Sequence, residues 1–202
     1  MEDNVLKVKL KDTHYLASWD KKDLPLIRKW QEKIRNGERS KELGDMFFKL
    51  LDSRYNDHKT TPEPKQVAID KKYILTWKGI AKMCRNITGQ DTTTFASGGV
   101  AVGTGETIPQ PYDERLVEEE EYIDFATNGF FDSAGVSIRY CGTFGETIPD
   151  DNFKESLVRN QATATGSIVL CRNIFANNPI AHDEGDSGFS AAGIIEFVPV
   201  VD

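Results

Sequence analysis

The sequence predicts an α+β protein in which a small helical module precedes a mostly antiparallel β domain, sandwich-like or barrel-like, with one or two short helices. Apolar residues recur at helical spacing in two stretches before residue 56, whereas short β-rich runs bounded by Gly, Asn and Pro dominate afterwards. The polar segment between them holds Pro62 and Pro64, which disfavour helix in the preceding residues. We therefore place a strand arm and helical module at 1–56, a linker at 57–70 and a β-rich structural domain at 71–202.

The N-terminal elements follow from periodicity. Residues 4–10 alternate, with Leu6, Val8 and Leu10 on one face, which indicates a one-sided strand that serves as an arm. Residues 22–35 carry apolar residues at helical spacing, after Asp20 as an N-cap and before Gly37 as a stop. A second helical pattern runs from residue 43 to about residue 54.

The β domain begins with a short helix, predicted at 75–86, whose apolar side consists of Trp77, Ile80, Ala81, Met83 and Cys84. Four later segments have the composition of strands and are bounded by turn residues. They are 100–102, 135–144, 167–175 and 193–200.

Composition narrows the function classes. A chain of 202 residues with 39% hydrophobic content can bury a substantial core. Its net charge of −7 disfavours direct nucleic-acid recognition and binding to an anionic membrane. The basic residues between Lys21 and Lys41 alternate with acids, which is typical of a solvated helix face.

The start of the chain and the cysteines indicate its compartment. The N-terminus is charged instead of apolar, so we expect no cleaved secretion signal. No apolar run approaches the ~20 residues that a membrane-spanning helix needs, so we expect no membrane span. Cys84, Cys141 and Cys171 are widely spaced, so neither a disulfide framework nor a zinc site is indicated, and a reducing compartment is expected.

A glycine- and proline-rich motif is the most informative stretch. Residues 100–113 read VAVGTGETIPQPYD, and the portion Gly105–Pro109 recurs 40 residues later as Gly145–Pro149. An apolar run followed by glycines and prolines predicts a strand that enters a rigid turn. The expected structural turn residues are Gly103, Gly105, Pro109, Gly145 and Pro149. A positive φ at Gly103 or Gly105 would account for the glycines.

Signatures of catalysis, cofactors and metals are incomplete. The Gly103 region lacks the third glycine and the helix start of a dinucleotide site, and the chain has no P-loop. The run Glu118–Glu121 is interpreted as a solvated helix end or a subunit contact, since consecutive helical carboxylates diverge. His14, His58 and His182 are interpreted as surface residues. We therefore expect no enzyme activity, no cofactor and no metal site.

A chain with rigid turns, an acidic surface and strand edges is suited to pair with identical copies. The residues expected to contact neighbouring subunits are Leu6, Val8, Leu10, Asp113 and Glu119. The arm supplies the first three, and electrostatic attraction would involve the other two.

Short motifs occur in order across residues 73–200, and in this respect the chain resembles a group of virion structural proteins of tailed viruses, phage or archaeal. These proteins are encoded among neck, tail and baseplate genes and carry an AVGTGxTxP turn. The motif residues are Thr76, Gly79, Ile80 and Met83; Ala101–Gly105 with Thr107 and Pro109; Asp113, Leu116 and Glu119; Gly142–Glu146; Leu170–Phe175; Asn178–Ile180 and Asp186; and Ile194–Val198. The first 70 residues have no counterpart in this pattern.

The resemblance implies a non-enzymatic virion subunit that assembles in the host cytoplasm into the neck or tail apparatus, with copies of itself and other virion proteins as partners. Two alternatives stay open. One is a capsid decoration protein. The other, from a different class, is a small ligand- or metal-binding hydrolase-like domain that uses the Gly103/Gly105 turn and Asp113.

Overall fold

The computed structural model describes residues 8–38, 40–52, 62, 64–70, 74–91, 94–134, 136–145, 151–175, 179–182 and 187–199. The helices in this part are α1 (Leu24–Arg35), α2 (Ser40–Leu51), α3 (Trp77–Ile87) and α4 (Phe125–Asn128). The strands are β1 (Val8–Asp20), β2 (Pro64–Asp70), β3 (Ile74–Leu75), β4 (Gly99–Gly103), β5 (Glu119–Asp124), β6 (Gly129–Ala134), β7 (Ser137–Phe144), β8 (Asp151–Phe153), β9 (Glu155–Arg159), β10 (Val169–Ile174), β11 (Ile180–His182) and β12 (Ser187–Pro199).

The described strands form two five-stranded antiparallel sheets and one small pair. Sheet A has the order β2-β1-β12-β7-β6, and sheet B has the order β3-β10-β9-β4-β5. Strands β8 and β11 pair separately. The predicted α+β class is confirmed, and each of the four predicted strand segments contains or overlaps an observed strand.

The N-terminal strand differs from the predicted arm. β1 pairs along its whole length with β12, from Val8 opposite Pro199 to Asp20 opposite Ser187, and on its other edge residues His14–Trp19 pair with β2. Residues 64–70, the second half of the predicted linker, form β2. From His14 to Trp19 both edges of β1 are hydrogen bonded within the chain, so this part is an interior strand of sheet A, whereas residues 8–13 are paired with β12 on one edge.

Alternation along the strands shows that the two sheets are stacked. In β1, Leu16 joins the core that also contains Val158 of β9, whereas its neighbours Tyr15 and Ala17 join a second core with α1 and α2. Leu157 of β9 points away from the shared core. Since successive side chains leave opposite faces of a strand, the order of layers is α1 and α2, sheet A, sheet B, and an outer layer on sheet B.

Helix α1 confirms the first predicted helix and its end. It buries the apolar residues Leu24, Ile27 and Ile34 against sheet A. Gly37 follows with φ 75°, the left-handed conformation that glycine adopts at low cost. Asp20, the expected N-cap, instead precedes a short 3-10 turn, and its side chain makes no capping hydrogen bond.

Helix α2 is held to sheet A by packing and by an ion pair. Phe47 is fully buried and stacks edge-on against Phe130 of β6. The buried Arg139 of β7 donates to Asp45 of α2 at 3.0 Å and to Asp132 of β6 at 2.6 Å. Its guanidinium passes directly over Gly44, where any side chain would collide with it. Both helices of the predicted N-terminal module therefore belong to the outer layer of sheet A.

The three cysteines differ in burial. Cys141 and Cys171 are buried, and burial raises the pKa of each thiol to about 12. Cys84 is exposed. Among the helices in the described ranges, none has both the length and the apolar character to cross a membrane.

Replacement of Phe47 by alanine is expected to reduce the free energy of unfolding by about 3–5 kcal/mol, because it leaves a cavity between α2 and sheet A. Chemical denaturation followed by circular dichroism measures this loss. Met46→Ala is the matched control, since Met46 is the neighbouring residue and is exposed, and a change within about 0.5 kcal/mol is expected. Equal losses in the two variants would contradict the packing of α2 on sheet A.

Candidate functional site

The candidate site is the loop of residues 104–118, which covers the outer face of sheet B between β4 and β5. Leu116 anchors it in a small core with Ala101, Leu157 and Val169. The amide of Thr104 donates to the carbonyl of Glu118 at 3.1 Å, so the two ends of the loop lie side by side. This loop contains most of the predicted glycine–proline motif.

A buried arginine beneath the loop fixes its position. Arg172 of β10 is 1% exposed. Its Nη1 donates to Asp113 Oδ2 at 2.7 Å, and its Nη2 donates to the carbonyl of Thr107 at 2.9 Å. The Asp113 carboxylate also accepts from the amide of Gln110 at 2.7 Å. One guanidinium therefore determines where both arms of the turn at residues 107–113 lie.

Glu155 neutralises Arg172 and connects the two ends of the loop. Its Oε2 accepts from Nη2 of Arg172 at 2.7 Å and from Nε at 3.2 Å. Its Oε1 accepts from the amides of Gly105 at 3.2 Å and Glu118 at 3.1 Å. Glu155 is fully buried, so its charge needs these partners.

Gly103 and Gly105, at the start of the loop, are required because of close contacts and not because of a positive φ. Neither Gly103 nor Gly105 is among the glycines with positive φ in the described part, which are Gly37, Gly89 and Gly166. A side chain on Gly103 would instead run into the carbonyl oxygen of Glu118, and one on Gly105 would stand 2.5 Å from Glu155 Oε1. The expectation of positive φ was wrong, and close approach explains both residues.

The second copy of the motif is only partly described. Pro109 of the first copy is buried within the loop. Gly145 follows β7 and is half-buried, whereas Pro149 lies outside the described residues. Of the second copy, Gly145 is the one residue with a described position.

A second buried arginine, on β9, fixes the edge strand β5. Arg159 donates to the two carboxylate oxygens of Glu119 at 2.5 and 2.8 Å, and it lies 4.6 Å from the centre of the Tyr122 ring. Burial raises the pKa of Tyr122 to about 12. The predicted helix end at Glu118–Glu121 was wrong, because residues 119–124 form this strand.

The residues expected at subunit contacts have contacts within the chain. Leu10 packs against the core between the sheets. Asp113 and Glu119 are held by Arg172 and Arg159. Leu6 lies outside the described residues, and for Val8 only its position in β1 is described.

Large apolar side chains are exposed where the loop meets helix α3. Trp77, Ile108 and Tyr112 are 74%, 71% and 76% exposed, and Ile80 on the next turn of α3 is 41% exposed. We call these four residues the loop–helix surface. The amide of Trp77 donates to the carbonyl of Pro111 at 2.9 Å, which joins the helix to the loop. The apolar side of α3, predicted from periodicity, is thus partly directed to solvent.

The histidines correct another expectation. His14 is 1% exposed, and its ring nitrogens are hydrogen bonded to Asp12 and Tyr140 in the core between the sheets. Burial raises the pKa of Asp12 and of Tyr140. His182 is also buried, against Phe153, whereas His58 lies outside the described residues. The surface assignment was wrong for His14 and His182.

A shallow, largely polar cleft lies between the two ends of the loop and Lys154. Its volume is about 450 Å³, and its walls are Thr104, Glu106, Thr107, Val117, Glu118 and Lys154. Lys154 is paired with Glu106 at 2.5 Å. Within the part of the chain that the structure describes, no three His, Cys, Asp or Glu side chains form a group suited to a metal ion.

Comparison with known proteins finds no matching family model, no matching curated protein and no matching solved structure. The evidence for a function therefore comes from the geometry of the loop and from its exposed apolar residues. Motif searches would not have found the two buried arginines. Their only signal in the sequence is an arginine preceded by apolar residues in a strand-like run, as in Leu170–Arg172 and Leu157–Arg159.

Replacement of Arg172 by methionine is expected to reduce the free energy of unfolding by about 3–5 kcal/mol, because Glu155 and Asp113 would keep buried charges without a cation. Urea denaturation of both proteins gives the difference. Arg115→Met, in the same loop at an exposed position, is the control and should change stability by less than about 0.5 kcal/mol. A stable Arg172→Met protein would refute the anchoring role.

Replacement of Gly103 by alanine is expected to cost more than about 1 kcal/mol, since the new methyl group collides with the Glu118 carbonyl. Thermal unfolding detects this loss as a lower Tm. Thr104→Ala at the adjacent position serves for comparison, and only a small change is expected. If alanine at 103 leaves the Tm unchanged, the close approach of the loop ends is not a constraint.

Proposed function

We propose that this chain is a non-enzymatic structural subunit that assembles with copies of itself and with other virion proteins into the neck or tail apparatus of a tailed virus. The observation that carries the assembly role is the loop–helix surface, Trp77, Ile80, Ile108 and Tyr112. The resemblance of the motif run to tailed-virus structural proteins carries the assignment to a virion, assembled in the host cytoplasm.

Exposed aromatic side chains of this size support an interface role. Contiguous apolar surface on a folded chain marks interaction sites, and Trp and Tyr are enriched among the residues that dominate binding energy. Thr107 and Asp113 bind the same guanidinium, and the exposed residues Ile108 and Tyr112 lie on the turn between them. The hydrogen bond from Trp77 to Pro111 adds α3 to the same surface.

The rigid attachment of the loop to sheet B also supports an interface role. A loop that must become ordered on binding loses part of its interaction energy to that ordering. Here the buried ion pairs of Arg172 and the two amide contacts of Glu155 hold the loop before any partner arrives. The surface is therefore preorganised for a contact.

The proposal is tested on the purified chain and on the particle. Mass photometry and sedimentation velocity are expected to show a defined oligomer, and reconstruction of purified particles is expected to place the chain in the neck or tail. A location on the capsid shell would replace this assignment with the decoration-protein alternative. A stable monomer that is absent from purified virions would refute the proposal.

The double variant Trp77→Ala with Tyr112→Ala is expected to shift the oligomer toward monomer, with an association constant at least about tenfold lower, because it removes the two largest apolar side chains of the surface. Sedimentation velocity over a concentration series measures the shift. Val136→Ala is the matched control, since Val136 is an exposed apolar residue on the β6–β7 turn of sheet A. Equal association of all three proteins would show that the interface lies elsewhere.

A further inference from the structure

We propose that the copies associate head to tail, with the loop–helix surface of one copy and the acidic residues Glu118 and Glu120 at the end of its loop docked on the basic outer face of helix α1 of the next copy. This inference rests on the proposed assembly function and identifies the partner of the loop–helix surface as a second copy of this chain. It follows from the distribution of charge and from the order of layers.

Charge is strongly segregated along the chain. Residues 104–124, the loop and strand β5, contain eight acidic residues and one basic residue. Four of the acids are paired with cations of other segments, namely Glu106, Asp113, Glu114 and Glu119. The other four, Glu118, Glu120, Glu121 and Asp124, leave this region with an excess of negative charge over the single Arg115. Residues 21–35, helix α1 and the turn before it, contain six basic and two acidic residues. Surfaces of opposite sign attract over a distance of about a Debye length, roughly 8–10 Å in physiological salt.

The two charged surfaces lie on opposite sides of the protein. Helix α1 packs on the face of sheet A that points away from sheet B, and the loop covers the face of sheet B that points away from sheet A. The two sheets separate them, so these surfaces meet most readily between copies. A contact between two different surfaces repeats from copy to copy and generates a ring or a filament.

Several of the charges have no ion-pair partner in the described part of the chain. On α1 these are Arg28 and Lys29, both exposed. On the loop side they are Glu118 and Glu120, also exposed, although Glu118 accepts from the hydroxyl of Thr104 at 3.1 Å and attracts Lys154 across the cleft. Their charges are therefore available to an incoming surface.

Apolar surface accompanies the charge on both sides. The loop side presents Trp77 and Tyr112. On α1, Leu26 and Trp30 lie one turn apart and are half-buried, so part of each faces solvent beside Lys29. An apolar centre with a charged rim is the usual composition of an interface between proteins.

The test uses two charge-reversal variants of the full chain. The α1 variant carries Arg28→Glu and Lys29→Glu, and the loop variant carries Glu118→Lys and Glu120→Lys. Each variant alone is expected to associate at least about tenfold more weakly than the original protein, because like charges then face each other. An equimolar mixture is expected to recover association with the two variants in a 1:1 ratio, as measured by sedimentation velocity and native mass spectrometry.

A matched control addresses the general effect of charge. Lys41→Glu with Lys49→Glu changes the charge by the same amount on exposed positions of α2, which lies in the same outer layer as α1. This control is expected to assemble like the original protein. Circular dichroism and Tm confirm that each variant is folded before association is measured. Raising the salt concentration is expected to weaken association of the original protein.

The outcomes separate this inference from the proposed function. If the original chain is monomeric at high concentration, the assembly function itself fails. If the original chain assembles and the Trp77→Ala/Tyr112→Ala protein does not, but the α1 variant assembles normally, only the head-to-tail arrangement is overturned. A mixture of the two charge variants that stays monomeric also overturns it.

Discussion

The need to neutralise Arg172 in the interior determines the outer layer of sheet B. A guanidinium removed from water is costly unless carboxylates and carbonyls satisfy it, and Glu155 on the adjacent strand supplies one carboxylate. The second carboxylate, Asp113, belongs to a segment 59 residues away in sequence. The ion pair between Arg172 and Asp113 therefore holds the loop against sheet B. The exposed Tyr112 belongs to this loop, and Trp77 is hydrogen bonded to it through Pro111, so the positions of both depend on that ion pair.

The same device recurs at two other places in the described structure. Arg139 on β7 pairs with Asp45 and so ties helix α2 to sheet A. Arg159 on β9 pairs with Glu119 and ties the edge strand β5 to sheet B. In each case a buried cation on an interior strand holds a peripheral element through a carboxylate. Gly44 and Gly105 provide the space that these charged groups occupy, which explains why glycine is present there without a left-handed backbone.

This organisation links stability to assembly. The loop, α1 and α2 form the two outer layers, and the loop and α1 carry the charges on which the proposed head-to-tail contact depends. A surface fixed by buried ion pairs loses little freedom when it binds, so a modest apolar patch with a charged rim can support a defined contact. Between the sheets, the hydrogen-bonded group of Asp12, His14 and Tyr140 joins β1 to β7 within the core.

Sequence by itself determined the fold class, α1 with its stop at Gly37, most of the strands and the position of the principal turn, because these depend on local periodicity and on the backbone preferences of Gly and Pro. It missed the extension of β1 to Asp20, and it misassigned residues 64–70 as linker, Glu118–Glu121 as a helix end, and His14 and His182 as surface residues. Only the tertiary structure decided these points, because strand partners, the depth of a side chain and the pairing of Arg172 with Asp113 depend on contacts between residues far apart in the chain. Hydrophobic periodicity is a local property and shows which face of a segment is buried. A buried charge, in contrast, needs a partner of opposite charge, and that partner can belong to a segment far away in the sequence.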